Sequence, residues 1–110
     1  MNKRLSMLES LTRSENADAF AWYGLAMEYR RENRSTEALS AFQRLRELYP
    51  DYLPTYLMAG QLLLADQDAA EARGWLEAGI VVAERAGNDK TLSELREALE
   101  ECEETPAARE

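Results

Sequence analysis

The sequence has no histidine and only one cysteine, Cys102, among its 110 residues. Histidine is the most frequent general base in enzymes, and neither a Ser/His nor a Cys/His pair can be drawn here. One cysteine cannot form a disulfide within the chain, and a structural zinc site would lack a plausible ligand set. We therefore expect no catalytic residues, no metal and no cofactor.

Basic residues are also scarce, since 13 Lys/Arg stand against 21 Asp/Glu and the formal net charge is −8. A nucleic-acid binder needs a basic face that displaces counterions, so we expect no nucleic-acid partner. Residues 1–50 hold eight basic and seven acidic side chains, whereas residues 51–110 hold five and fourteen. This acidic half is either a solvated outer face and tail, or a surface that attracts a basic partner or the other end of a second copy.

The chain has no long hydrophobic run. Near its start, Glu9 interrupts the apolar residues too early for a signal peptide, and no segment is long enough to span a bilayer. We expect no membrane association and a cytoplasmic location.

What the sequence does contain is helical periodicity, which predicts an all-α chain of six helices. The predicted helices cover about 2–13, 19–32, 36–49, 54–65, 69–86 and 89–103. Asp18, Ser35 and Asp68 are the expected N-caps, Asn33 is expected in a left-handed turn, and Thr91 is a candidate capping-box residue for the last helix. We expect a single domain over 1–104 and a flexible tail over 105–110.

A pattern of large and small residues recurs after 34 positions, over 19–52 and again over 53–86. The first copy places Trp22, Leu25, Ala26, Tyr29, Ala38, Phe42 and Pro50, and the second places Tyr56, Ala59, Gly60, Leu63, Ala72, Leu76 and Glu84. Such a pattern is typical of a helix pair that cannot bury its apolar face alone. Glycine costs ~1 kcal/mol against alanine inside a helix, so Gly60 and Gly79 indicate close helix contacts.

On these residues the chain resembles the tetratricopeptide repeat (TPR) family, although Leu45 replaces a small residue and Glu84 replaces the proline. The resemblance implies a right-handed α-solenoid of two helix pairs, flanked by an N-terminal helix and a C-terminal capping helix. It further implies a concave groove, lined by the first helix of each pair, that receives a peptide or another protein.

Carried over by position, the resemblance places nine residues in this groove. They are Phe20, Tyr23, Met27, Arg30, Arg31, Leu57, Met58, Gln61 and Leu64. Relatives that bind acidic chain ends use Lys and Asn where this chain has Tyr23, Met27 and Met58, so that clamp is not expected. The alternative is a packed core, because Met and aromatic residues at helical spacing usually are core and the first helix could cover some of them.

The leading functional hypothesis is a non-catalytic adaptor that binds a protein or peptide partner through the groove. The alternative is a structural module that forms a homodimer, either through the groove or through the apolar seam of Leu92, Leu95 and Leu99. Cys102 is expected to be a small core residue rather than a redox sensor, because its acidic neighbours should raise its pKa.

Overall fold

The structure is a computed structural model that describes residues 2–104, and the predicted tail over 105–110 lies outside this range. Within it, all regular structure is α-helical, so the all-α prediction is confirmed. The helices are α1 (Lys3–Thr12), α2 (Ala19–Arg31), α3 (Ser35–Leu48), α4 (Pro54–Ala65), α5 (Ala69–Ala86) and α6 (Asp89–Glu103).

The chain divides into two compact units between Tyr52 and Leu53. The first unit contains α1, α2 and α3, and the second contains α4, α5 and α6. Each unit therefore holds one helix pair and one additional helix, while a single domain over 1–104 stays a prediction.

Local side-chain chemistry explains most helix ends. Asp18 accepts a hydrogen bond from the backbone N of Ala21, and Asp68 accepts one from that of Glu71, as expected of N-caps. Asn33 has the predicted left-handed conformation, with φ of 59°. Gly87 ends α5 with φ of 66°, which glycine adopts without steric cost.

The predicted cap Ser35 is wrong, and at α6 the predicted start at Asp89 is found rather than the alternative start at Thr91. Ser35 lies inside α3, and the N-cap is Arg34, whose side chain makes no capping bond. The 34-residue repeat places Arg34 where the second copy has the cap Asp68, and the backbone N of each bonds to the carbonyl five residues earlier, that of Tyr29 or Leu63. At α6, Asn88 is the N-cap and accepts from the backbone N of Thr91, so Thr91 is a helical residue and not the cap.

In the first unit, α2 packs between α1 and α3. Ala26, Ala38 and Phe42 are fully buried, as the repeat pattern requires. On the side of α1, Leu8 lies so close to Gly24 that a Cβ at Gly24 would stand 3.2 Å from Leu8 Cδ2. Gly24 thus lets α1 approach α2.

In the second unit, α5 and α6 pack on α4 and on each other. A Cβ at Gly60 would lie 2.6 Å from Leu76 Cδ2, and one at Gly79 would lie 2.5 Å from Tyr56 Cβ. Both glycines are therefore required by contact, as predicted. Leu95 of α6 completes this core and is fully buried.

Candidate functional site

An open apolar cavity of about 760 Å³ lies between α1 and α2 in the first unit. Four of the five α2 positions singled out from the sequence line it, namely Phe20, Tyr23, Met27 and Arg31. The fifth, Arg30, is half-buried and does not line this cavity. We call this feature the α1/α2 cavity.

Helix α1 forms the second wall of the α1/α2 cavity and leaves the α2 strip accessible. Phe20 is 72% exposed, and Met7 and Leu11 of α1 are 52% and 49% exposed. Tyr23 and Met27 are half-buried at the floor. Sequence reasoning missed Met7 and Leu11 because it treated α1 only as a cover for the repeat.

Tyr23 is held in place by aromatic contacts within the first unit. Its ring meets that of Tyr52 edge-on at 5.7 Å between centroids, and that of Phe42 at 6.5 Å. Burial raises the pKa of Tyr23, with a further increase from Tyr52 and a decrease from Arg30. The hydroxyl therefore stays protonated at neutral pH and keeps its hydrogen-bond donor.

One end of the α1/α2 cavity carries a cluster around a buried carboxylate. Glu28 Oε1 lies 3.2 Å from Arg4 Nε and 3.5 Å from Arg31 Nη1, and its Oε2 accepts a 2.9 Å bond from Asn2. The Glu28 side chain is only 7% exposed. A buried carboxylate usually has a charged partner, and here one oxygen of Glu28 contacts a guanidinium group from α1 and another from α2.

In the second unit, α6 covers part of the α4 face that was predicted to line the groove with Leu57, Met58, Gln61 and Leu64. Leu57 is 9% exposed, which corrects the expectation of an accessible groove residue. Together with Gln61 it lines a cleft of about 400 Å³ whose other wall is α6. Met58 and Leu64 are half-buried and do not line that cleft.

The α6 wall of this cleft is acidic. It is formed by Glu94, Glu97, Ala98, Glu100, Glu101 and Glu104. Sequence reasoning considered α6 as a cap and as a dimer seam but did not place its carboxylates beside Leu57 and Gln61, because helical spacing shows only that they share one exposed face.

Cys102 is fully buried, and its thiol donates a hydrogen bond of 2.9 Å to the carbonyl of Ala69. Burial is the main cause that raises its pKa, while Arg73 lowers it and Glu103 adds a smaller increase. The predicted direction is confirmed, but its chief cause is desolvation and not the acidic neighbours. The thiol is thus a core residue and a poor nucleophile.

Residues 2–104 provide neither a group of metal ligands nor a membrane-spanning helix. No cluster of three or more Cys, Asp or Glu side chains there is arranged to hold a metal ion. No helix in that range is long and apolar enough to cross a membrane.

Comparison with known proteins identifies the repeat. The tetratricopeptide repeat model matches residues 19–62. A solution NMR structure of a tetratricopeptide repeat domain protein from Salinibacter ruber is 34% identical, with a TM-score of 0.75, and the alignment covers 82% of this chain and 91% of that chain. A crystal structure of the Salinibacter ruber domain is 36% identical, with a TM-score of 0.72 and coverage of 78% and 96%.

Protein BPP2914 from Bordetella parapertussis has the same fold at 22% identity, with a TM-score of 0.77 and coverage of 93% of this chain and 89% of that chain. The search of curated proteins returned no match.

Proposed function

The chain belongs to the tetratricopeptide repeat family, and we propose that it is a non-catalytic adaptor that binds a peptide or protein partner through the α1/α2 cavity. TPR domains in general are protein-interaction modules and typically act as scaffolds rather than enzymes. The proposal adds the surface used by this chain. Of the predicted α4 groove residues, Met58, Gln61 and Leu64 stay a prediction, whereas Leu57 is buried.

One observation carries the proposal: three large apolar side chains face solvent around one cavity. Met7, Leu11 and Phe20 are half of the six large hydrophobic residues that are exposed within residues 2–104. A concentration of apolar surface around a concave site is typical of an interaction surface, whereas scattered exposed residues are not.

The expected affinity follows from the area available. Burying each of these side chains contributes roughly 1.5–3 kcal/mol. Loss of translational and rotational freedom on association opposes binding by about 4–15 kcal/mol. A short peptide that fills only the α1/α2 cavity should therefore bind with a Kd of about micromolar or weaker. A partner that also contacts the rim would bind more tightly.

Site-specific crosslinking tests the proposal directly. A photoreactive phenylalanine analogue at position 20 changes the native ring little, so it should crosslink a partner when cells producing the protein are irradiated. The control places the same analogue at Val81, which is 50% exposed on α5 and lies outside the α1/α2 cavity. A heterologous adduct at position 20 but not at 81 is expected, and equal labelling at both would contradict the proposal.

Self-association is the second candidate, because the same exposed apolar side chains could meet their copies in a homodimer. The seam of Leu92, Leu95 and Leu99 is less suited to this role, since Leu95 is fully buried in its own unit and the other two are half-buried. An adduct of twice the chain mass at position 20 would favour the homodimer.

A cytoplasmic location stays a prediction from the sequence, and cell fractionation with an antibody to the chain tests it.

A further inference from the structure

We propose that the partner segment of the α1/α2 cavity carries an acidic side chain, and that Arg4 and Arg31 bind its carboxylate at the end of the cavity. This inference rests on the proposed function, since it names the chemistry of the segment that the cavity would receive. It concerns α1 as much as α2, because one arginine comes from each helix.

The two guanidinium groups are oriented by one buried carboxylate. Glu28 is 7% exposed, whereas the side chains of Arg4 and Arg31 are 63% and 74% exposed. Glu28 therefore holds the inner edge of each guanidinium while the outer edge faces solvent. Ordering the arginines in advance lowers the entropic cost of binding an anion.

Most hydrogen-bond donors of the two arginines remain available. A guanidinium has five N–H donors in a planar fork. Arg4 approaches Glu28 with Nε and Arg31 with Nη1, and neither arginine pairs with any other carboxylate of residues 2–104. The terminal nitrogens of Arg4 can thus still form the bidentate pair that arginine makes with a carboxylate.

The charge balance favours a single carboxylate. Lys3, Arg4 and Arg31 carry three positive charges at this end, and Glu28 and Glu32 supply two negative charges, so the group keeps an excess of about +1. One acidic side chain would neutralise this excess, whereas a basic residue would be repelled.

The two ends of the α1/α2 cavity carry opposite charges, and this difference sets the direction in which the partner segment would bind. Arg4 and Arg31 line one end, and Asp18, the N-cap of α2, lines the other. Eleven residues separate Phe20 from Arg31, which corresponds to about 16 Å along a helix. A segment with an apolar side chain on Phe20 should therefore place its acidic residue about 16 Å away, and a second apolar side chain can contact Met27 between them.

The test begins with a library of random 12-residue peptides displayed on phage and selected on the immobilised protein. We expect selected peptides to combine large apolar residues with an acidic residue. One such peptide, labelled with fluorescein, is then titrated by anisotropy against wild type, Phe20→Ala, the double variant Arg4→Gln/Arg31→Gln and the control Arg44→Gln. Arg44 is 55% exposed, pairs with Glu47 on α3 and does not line the cavity.

The decisive measurement is a double-mutant cycle between the peptide acid and the two arginines. Replacing the acidic residue by its amide should weaken binding to wild type by about 10- to 100-fold, the range for hydrogen bonds between charged groups. The same replacement should have little effect on the double variant. Arg44→Gln should bind like wild type.

Removing both arginines leaves Glu28 without its cationic partners, so the double variant could lose stability. The triple variant Arg4→Gln/Glu28→Gln/Arg31→Gln removes the buried charge as well and should restore the melting temperature. If this folded triple variant binds the acidic peptide as tightly as wild type, the inference is overturned.

The remaining outcomes separate this inference from the proposed function. In one outcome, peptide binding requires Phe20, but replacing the acidic residue by its amide weakens binding to wild type and to the double variant equally. That result would overturn the role of the arginines and leave the cavity as a binding site. Selected peptides that do not need Phe20 would overturn both. A dimer in light scattering that excludes the peptide would overturn the inference in favour of a second copy as occupant.

Discussion

The hydroxyl of Tyr29 donates a hydrogen bond of 2.6 Å to Oε2 of Glu9, and this bond joins α2 to α1. The guanidinium group of Arg34 lies over the Tyr29 ring, with its Cζ 4.9 Å from the ring centre. The backbone N of Arg34 also bonds to the carbonyl of Tyr29. Tyr29, a large residue of the 34-residue pattern, thus connects α1, which forms one wall of the α1/α2 cavity, to the turn before α3.

This bond should make the first unit sensitive to alkaline pH. Burial and the hydrogen bond to Glu9 raise the pKa of Tyr29 to about 12 from 10.0. Because the folded pKa is the higher one, the protonated phenol stabilises the folded state below pH 10, and this stability is lost as pH rises toward 12. We expect wild type to lose more free energy of unfolding than Tyr29→Phe when urea titrations at about pH 9 and about pH 11 are compared. Equal losses in the two proteins would contradict the role of Tyr29.

The glycines of the second unit should respond differently to alanine. At Gly79 a new Cβ would lie 2.5 Å from Cβ of Tyr56, an atom that cannot move without its backbone, so we expect Gly79→Ala to cost about 1–3 kcal/mol or more. At Gly60 the close atoms are Cδ2 and Cγ of Leu76, a fully buried side chain that can shift without its backbone, so the cost should be smaller than at Gly79. Urea unfolding measures both.

Gly74 provides the matched control, because apart from the adjoining backbone of α5 and the two neighbouring residues no atom lies within 4 Å of its Cβ position. Gly74→Ala should stabilise the protein by about 0.5–1 kcal/mol through helix propensity. If all three substitutions changed stability equally, the close approach at Gly60 and Gly79 would be refuted.

Alanine substitution should affect stability differently at the observed N-cap Asn88 and at Ser35, which is not a cap. Asn88 accepts from the backbone N of Thr91, so Asn88→Ala should cost about 1 kcal/mol. Ser35 lies inside α3 and is not its cap, so Ser35→Ala should change stability by less than about 0.5 kcal/mol. Thermal unfolding followed by circular dichroism compares the two, and a larger loss for Ser35→Ala would restore the sequence-based assignment.

Two residues of the predicted groove should separate stability from binding. Leu57 is buried, so Leu57→Ala should cost roughly 2–5 kcal/mol whether or not a partner is present. Phe20 is exposed, so Phe20→Ala should leave the free energy of unfolding within about 0.5 kcal/mol and weaken only partner binding. A strong loss of stability in Phe20→Ala would show that its ring is part of the core.

The helices could be predicted from the sequence because their signals are local. Asp18 and Asp68 cap the helices that begin beside them, and Gly87 ends α5 within one residue of the last apolar position. At Ser35 the same reasoning was wrong by one residue, since the N-cap position that Asp68 takes in the second repeat is held in the first by Arg34, whose side chain has no capping oxygen. The α2 strip was found only through the family resemblance.

The cluster of Arg4, Glu28 and Arg31 could not be predicted in this way. Arg4 and Glu28 are 24 positions apart. Their contact depends on the register of α1 along α2, which the helical periodicity of the sequence does not specify. The burial of Leu57 has the same origin, because it depends on where α6 returns along α4. Periodicity identifies the face that a helix buries but not the register between two helices.

Cys102 allows the dynamics of α6 to be measured without any engineering. Its thiol is enclosed against the carbonyl of Ala69 at the start of α5, and no other cysteine exists in the chain. A bulky disulfide reagent can react only while α6 is detached, so the labelling rate in native buffer reports the frequency of that opening. Because Arg73–Glu103 and Arg96–Glu84 join the two helices at 3.3 Å each, added salt should accelerate labelling. The labelling rate of Cys102 thus measures how often α6 opens in the native protein.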